Sequence, residues 1–446
     1  MTIPFQKNDR FYLDIQSWSD KGLGQGVYKG AVVLVPFTCP GDTICVHITK
    51  VSLPYSFGKC VEIIRPSDQR QSPPCKVFTR CGGCHIQHLS EASEKAMKVE
   101  RVQRLFEQEG YSIPDVMYRE SPDTLFYRNK AQFAVTKDEE GNYSVGFFAM
   151  RSQRVVDCDE CYIQDSLTNR VLLLFKSYLR EFSPPIFKEN ERDGIAHFVV
   201  RVSSESEVMI ALVSNDDLME YRESFVAYMK GVSEVKSIYL SENDNLKWTV
   251  LGEKECLLWG ESEIKERVGG LCLSLSLRSF FQANRRGMLL LWEEVLQMMD
   301  VNGSESVLDL YCGTGAMTLY LASHVQKIVG VESHPKAIFD ANANAALNHV
   351  ENVEFIEGVV EEVLPSMDSD PSIVICDPPR KGVDRKVLQC ILDKKIDVLI
   401  YVSCSPETLL RDSKILCEGG YRISSVCVLN MFPQTYHLET IVRFSY

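Results

Sequence analysis

The sequence predicts a multidomain α/β protein with three parts: a small N-terminal β-barrel of OB-like type at residues 1–68, a central α+β domain at 69–270, and a C-terminal doubly wound domain at 271–446. Three observations predict it. The chain has 446 residues, too many for one ordinary core. Residues 9–66 are short apolar runs broken by Gly and Pro. From about residue 280 strand-like and helix-like segments alternate, the pattern of a mostly parallel sheet.

Each part can be justified in order. In the first 66 residues the runs FYLDIQSW, GAVVLVPF, PGDTICVHITKV and KCVEII are separated by turn signals, with DKGLGQG read as a loop. Ser67 to Pro74 is a polar linker, and the stretch 75–88 is rich in cysteine. Residues 90–109 fit an amphipathic helix through Ala92, Ala96, Val99, Val102 and Phe106. KAQFAVTK and YSVGFFAM, joined by Asp-Glu-Glu-Gly-Asn, form a hairpin. After a helix at 282–299, apolar strands are expected at 306–311, 327–332, 353–357, 372–377, 397–403 and 423–432. Ligands of such sheets bind beyond the C-terminal ends of the strands.

Bulk properties exclude several classes. The composition is 45% hydrophobic and 24% charged, that of a globular protein. Met1 to Phe11 holds no apolar run of an export signal. No stretch approaches the ~18 apolar residues that cross a bilayer. Sixteen cysteines in such a chain are expected to be reduced thiols, ligands or nucleophiles, and the protein cytoplasmic. A net charge of −13 argues against a simple nucleic-acid coat, but residues 1–135 carry 17 Lys and Arg against 14 Asp and Glu.

The chemistry-bearing motifs lie where the strands end. Val307 to Gly315 runs from a buried strand into a Gly-rich turn and a helix, a place for close backbone approach to a nucleotide-like ligand. Glu332 closes the next strand and can accept from both ribose hydroxyls. Thr318 stands where a dinucleotide fingerprint needs its third glycine, so a methyl donor carrying adenosine fits better than NAD. Asp377 is held at a strand tip by Pro378 and Pro379. Cys404 ends another strand within Ser403-Cys404-Ser405-Pro406, where a thiolate would be a strong nucleophile. Addition of that thiolate to C6 of a uracil makes C5 nucleophilic enough to take a methyl group. A base must then remove H5. Glu439, a carboxylate opening an apolar strand, is the first candidate and His437 the alternative. Cys75, Cys81 and Cys84 cluster around a Gly-Gly turn, and with Cys158 or Cys161 they could bind an iron–sulfur cluster or zinc.

Taken together, these residues resemble the RNA uracil-5 methyltransferase family, most closely the 23S rRNA (uracil-5-)-methyltransferases with an N-terminal TRAM domain and a [4Fe-4S] cluster. The resemblance covers essentially the whole chain. It implies S-adenosylmethionine as methyl donor, contacted by Gln282 of the Phe281-Gln282-Ala283-Asn284 element, Tyr311, Glu332 and Asp377. It implies Cys404 as nucleophile and Glu439 as base, and Cys161 as fourth cluster ligand with Cys75, Cys81 and Cys84. Ala316 departs from the Asn of some members, and Cys158 is an extra thiol. The implied partner is 23S rRNA, with tRNA as the alternative, acted on by a monomer without DNA or membrane. The loop Asp20–Gly26 and the run Tyr127-Arg128-Asn129-Lys130 are candidates for RNA contact, Tyr127 being alternatively a core residue. Rival readings are a cytosine-5 RNA methyltransferase, which would carry Pro-Cys in place of Pro378-Pro379, and a non-catalytic RNA chaperone.

Overall fold

The computed structural model describes residues 3–189, 191, 193–246, 249–367 and 371–446. The N-terminal part contains β1 (Arg10–Asp14), β2 (Ser17–Trp18), β3 (Gly24–Tyr28), β4 (Ala31–Val35), β5 (Thr43–Lys50) and β6 (Tyr55–Arg65). They form one sheet in the order β1-β5-β6-β4-β3-β2. Its edge strands β1 and β2 are consecutive on the chain, and the Gln16 N–H donates to the Gln25 carbonyl at 2.8 Å, so the sheet curls back on itself. Leu13, Ile15, Val33, Val35, Ile44, Val46 and Ile48 fill the interior. The run 20–26 is only partly a loop, because Gly24 and Gly26 lie in β3. A side chain at Gly24 would strike Thr38, and at Gly26 it would lie 2.5 Å from the Asp14 carbonyl. These glycines permit a close strand crossing, and only residues 20–23 of the segment expected to be a loop lie outside a strand.

The middle of the chain contains α1 (Glu91–Gln108), β7 (Met117–Arg119), β8 (Lys130–Lys137), β9 (Tyr143–Phe148), β10 (Val155–Asp157), α2 (Ser166–Phe182), β11 (Ile195–Val202), β12 (Val208–Ser214), α3 (Arg222–Met229), β13 (Val235–Glu242) and β14 (Lys254–Gly260). Seven of these strands make a sheet in the order β10-β9-β8-β11-β12-β13-β14. Its outer face packs on α2 and α3 through Phe175, Tyr178, Phe198 and Phe225. Val199, Met209, Ala211 and Val213 on the other face join the core of the C-terminal part. β11 and β12 are therefore buried on both faces, which is why they read as continuous apolar runs rather than alternating ones.

The C-terminal part begins with the hairpin β15 (Ile264–Val268) and β16 (Leu271–Leu275), followed by α4 (Arg285–Met299), β17 (Ser306–Leu310), α5 (Ala316–Ala322), β18 (Lys327–Glu332), α6 (Pro335–Leu347), β19 (Val353–Glu357), α7 (Val360–Ser366), β20 (Ile373–Cys376), α8 (Arg385–Lys394), β21 (Val398–Ser403), α9 (Pro406–Glu418), β22 (Arg422–Leu429) and β23 (Glu439–Ser445). The sheet order is β19-β18-β17-β20-β21-β23-β22-β7. The first five are parallel neighbours, and β23 runs antiparallel to both β21 and β22. Successive strand residues feed opposite cores: Val307, Ile375 and Ile400 pack with α4 and α5, Leu308, Val374 and Leu399 with α8 and α9. Both α1, which contributes Val102 and Phe106 to the second core, and β7, which pairs with β22, belong spatially to this part although they fall within the span 69–270. Among the described residues no helix is long and apolar enough to cross a membrane.

Candidate active site

Parallel strands end at the same edge, and the register fixes what meets there. Leu310 of β17 is level with Val331 of β18 and with Cys376 of β20, and Cys376 is level with Tyr401 of β21. Tyr311, Glu332, Asp377 and Cys404 therefore emerge from four adjacent strands at one rim. β23 enters that rim from the opposite direction. Ser403 is paired with Thr440, so the next residues out, Cys404 and Glu439, face each other across the ladder.

The Gly-rich turn has the shape its sequence requires. Tyr311, Gly313 and Gly315 all have positive φ, at 66°, 55° and 73°. A Cβ on Gly315 would lie 2.5 Å from the Phe355 ring, whereas one on Gly313 would point into open space. The Gly313 N–H donates to Glu332 Oε2 at 3.3 Å, and the His334 N–H donates to Oε1 at 2.8 Å. The turn is thus tied to the carboxylate of the next strand. Below it the fully buried Asp309 accepts from the Thr318 hydroxyl at 2.6 Å. Burial first, and then the charge of Asp377, push the Asp309 carboxyl up to about 7.

The polar groups at the rim are electrostatically coupled. Glu439 is 5% exposed. Burial, then Asp377, hold its carboxyl well above the usual range, while Arg380 opposes both. Burial raises Asp377 to about 7. The Cys404 thiol is raised by burial, then by Glu439, and the Arg380 guanidinium lowers it through its charge and a hydrogen bond. Arg380 is the charged neighbour that sequence reasoning did not single out, its only signal being its place directly after Asp377-Pro378-Pro379. His437 is lowered to about 4 by burial first and then by its neighbours, His85 and Arg380 foremost. It is a far weaker base than Glu439 at neutral pH.

Gln282 lies in a segment pinned from the central sheet. Its carbonyl accepts from Asn129 Nδ2 at 2.9 Å, and the Ala283 carbonyl accepts from the Asn129 N–H at 2.8 Å. Asn284 caps α4 and donates to the Met431 carbonyl at 2.9 Å. Tyr127 is 6% exposed and its hydroxyl donates to the Pro433 carbonyl at 2.9 Å. It is a core residue, unavailable for stacking on a base.

Cys75, Cys81, Cys84, Cys158 and Cys161 all line one cavity of about 480 Å³, together with Arg128, Lys130 and Arg201. Cys84 packs with Phe78, Tyr127 and Ile163, and Cys75 and Cys161 lie against the same group. Cys158 instead belongs to the core beneath the central sheet. Among the described residues no three His, Cys, Asp or Glu side chains converge closely enough to hold a single metal ion. Burial raises the thiols of Cys81, Cys84 and Cys161, the last to about 11.

Comparison with known proteins adds an independent line. The family model for tRNA (uracil-5-)-methyltransferase matches residues 90–445. A Clostridium tetani protein described as an uncharacterized RNA methyltransferase is 34% identical, over 100% of this chain and 98% of its own length. One from Halalkalibacterium halodurans is 35% identical over 98% of this chain and 97% of its own length. Among solved structures, a Pyrococcus abyssi tRNA (uracil-54, C5)-methyltransferase in complex with S-adenosyl-L-homocysteine is similar, with a TM-score of 0.79 and 28% identity. That similarity covers 97% of this chain and all of the other.

Proposed function

Because the chain belongs to the tRNA (uracil-5-)-methyltransferase family, we propose that it transfers a methyl group from S-adenosylmethionine to C5 of a uridine in RNA through a covalent adduct on Cys404. The observation that carries this reading is the pairing of Ser403 with Thr440, which sets a thiol and a carboxyl side by side at the rim where the Gly-rich turn also ends. In this reading Cys404 adds to C6 as a thiolate and Arg380 stabilises its negative charge. Bound S-adenosylmethionine supplies an electrophilic methyl group. Gln282, Tyr311, Glu332 and Asp377 hold the donor, with Gly313 leaving room for it. Glu439 then takes the proton from C5, and Cys404 is released. The target base must be unpaired or flipped out to reach both groups.

The curled sheet within residues 1–68 is read as a TRAM-like RNA-binding barrel, residues 69–270 as the central domain and 271–446 as the methyltransferase domain. Cys75, Cys81, Cys84 and Cys161 are read as the ligands of a [4Fe-4S] cluster. Four thiols lining one cavity are the donor set that such a cluster takes. Cys158 lines the same cavity and also packs into the core beneath the central sheet, and the fourth position is given to Cys161 on the family resemblance.

The preferred substrate is 23S rRNA, from the presence of the curled sheet and the cysteine site. A tRNA substrate is the second reading, favoured by the P. abyssi enzyme's full-length similarity. Labelled methyl donor with purified 23S rRNA and tRNA, followed by mapping of 5-methyluridine, decides between them. RNA carrying 5-fluorouridine should form a stable adduct with the wild-type protein and none with Cys404→Ala. An active protein that forms no adduct would sink the thiol mechanism.

A further inference from the structure

Glu439 is delivered to its place by residues 430–438, a loop without helix or strand between β22 and β23. Most of what holds this loop comes from elsewhere in the chain. The Tyr127 hydroxyl donates to the Pro433 carbonyl at 2.9 Å. The N–H groups of His85 and Ile86 both donate to the Gln434 carbonyl, at 3.0 and 3.2 Å. The Gln434 N–H donates to Glu94 at 3.2 Å. Gln434 itself sits at φ 68°, a conformation that a non-glycine residue keeps only when its surroundings fix it. Two of these anchors belong to the cysteine site. His85 and Ile86 directly follow Cys84, and Tyr127 is packed against Cys84 with Cys75 and Cys161 alongside.

We propose that the cysteine site positions the catalytic base. A group held by the four thiols fixes Cys84 and the packing around Tyr127. That sets the hydrogen bonds to Pro433 and Gln434 and, through them, the carboxylate of Glu439. Tyr127 is a positioning residue here. The role of the cysteines rests on the cluster reading given above, whereas the role of Tyr127 does not. No electron transfer is involved. The base acts after methyl transfer: the C5–H bond breaks and the proton passes to Glu439. The electron pair of that bond forms the C5–C6 double bond, and the C6–S bond breaks to return the thiolate to Cys404. A displaced Glu439 therefore stalls the reaction with methylated RNA still attached to Cys404.

Tyr127→Phe removes one hydroxyl and keeps the ring. With ordinary uridine RNA and labelled methyl donor, the loaded variant should accumulate a labelled covalent protein–RNA band. Its kcat should fall roughly tenfold to a hundredfold, up to the loss of about a hundredfold that a misplacement of about 1 Å can cause, with KM for the donor unchanged. Amide exchange across 430–438 should quicken. Chelating the wild-type holoenzyme should produce the same band and the same exchange. A variant that only folds less well would melt earlier without the band. A Tyr127→Phe enzyme that turns over like the parent with no adduct overturns the positioning. Unchanged exchange after chelation overturns the part given to the cysteines. Absence of iron and sulfide from active protein overturns the cluster reading instead, and Tyr127→Phe still decides the rest.

Discussion

Glu439 and Asp377 act on the Cys404 thiol, and Arg380 is the cation that opposes them. The sign of the resulting pH dependence follows. The Cys404 and Glu439 groups are both raised, so each stays protonated to higher pH than usual, and the proposed chemistry needs both deprotonated. Asp377, raised to about 7, adds repulsion as it ionises. The methylation rate is expected to climb from pH 6 to beyond pH 8, and Arg380→Met should push that climb further to alkaline pH. Initial rates with labelled donor check this; a rate that falls above pH 7, or a variant profile displaced to acid, would contradict it. At this scale much of the site was legible. Cys404, Asp377 and Glu439 each interrupt or terminate an apolar strand, where a polar residue is out of pattern. Arg380 was not, because no local pattern indicates that a guanidinium turns back onto a thiol in another strand. Tyr127 was ambiguous because its partner, Pro433, lies more than three hundred residues away.

The helix α1 was legible as an element but not in its role. Its charges at 94 and 98 are spaced for one helical face. In the structure Lys98 is fully buried. It donates to Glu94 at 2.7 Å, to Asn430 Oδ1 at 2.6 Å and to the Phe432 carbonyl at 3.3 Å. Arg101 of the same helix reaches the Tyr436 carbonyl at 3.3 Å, and Arg104 reaches Trp18 and Asp20 of the N-terminal sheet. One helix thus joins the N-terminal part to the loop that leads into Glu439. Losing one partner of a buried pair leaves an uncompensated charge, which costs about 3–5 kcal/mol. Lys98→Met is therefore expected to lower the melting temperature by roughly 10 °C, and adding Glu94→Gln should restore part of the loss. Scanning calorimetry of the single and double variants checks it; a double variant no more stable than the single would mean that the charge pair is not the cause. The strands β3 and β7 escaped sequence reading for related reasons. The glycines of β3 serve a close crossing, and β7 is only three residues long.

The whole molecule carries −13, so an RNA substrate must meet a local exception to the overall field. Register supplies one on the curled N-terminal sheet. Arg10 of β1 is level with His47 of β5, which is level with Lys59 of β6. Tyr12, two residues from Arg10 and so on the same face, is 69% exposed. Two cations with a histidine between them, beside an exposed ring, suit phosphate contact and base stacking. The strand pattern made the sheet readable in the sequence, but this row depends on the pairing of three strands and on a β5–β6 ladder with three register shifts, near Thr43, Cys45 and Ile48, which no local pattern encodes. Each phosphate contact releases counterion, so Lys59→Ala and Arg10→Ala should each reduce the slope of log affinity against log salt by about 0.7 to 0.9. The KM for the methyl donor should stay unchanged, because the residues proposed to hold it lie on another sheet. Filter binding of the RNA substrate across a salt series measures the slope. Slopes equal to the parent's in both variants would move the RNA off this face and leave the rim of the C-terminal sheet to hold it against a repulsive field.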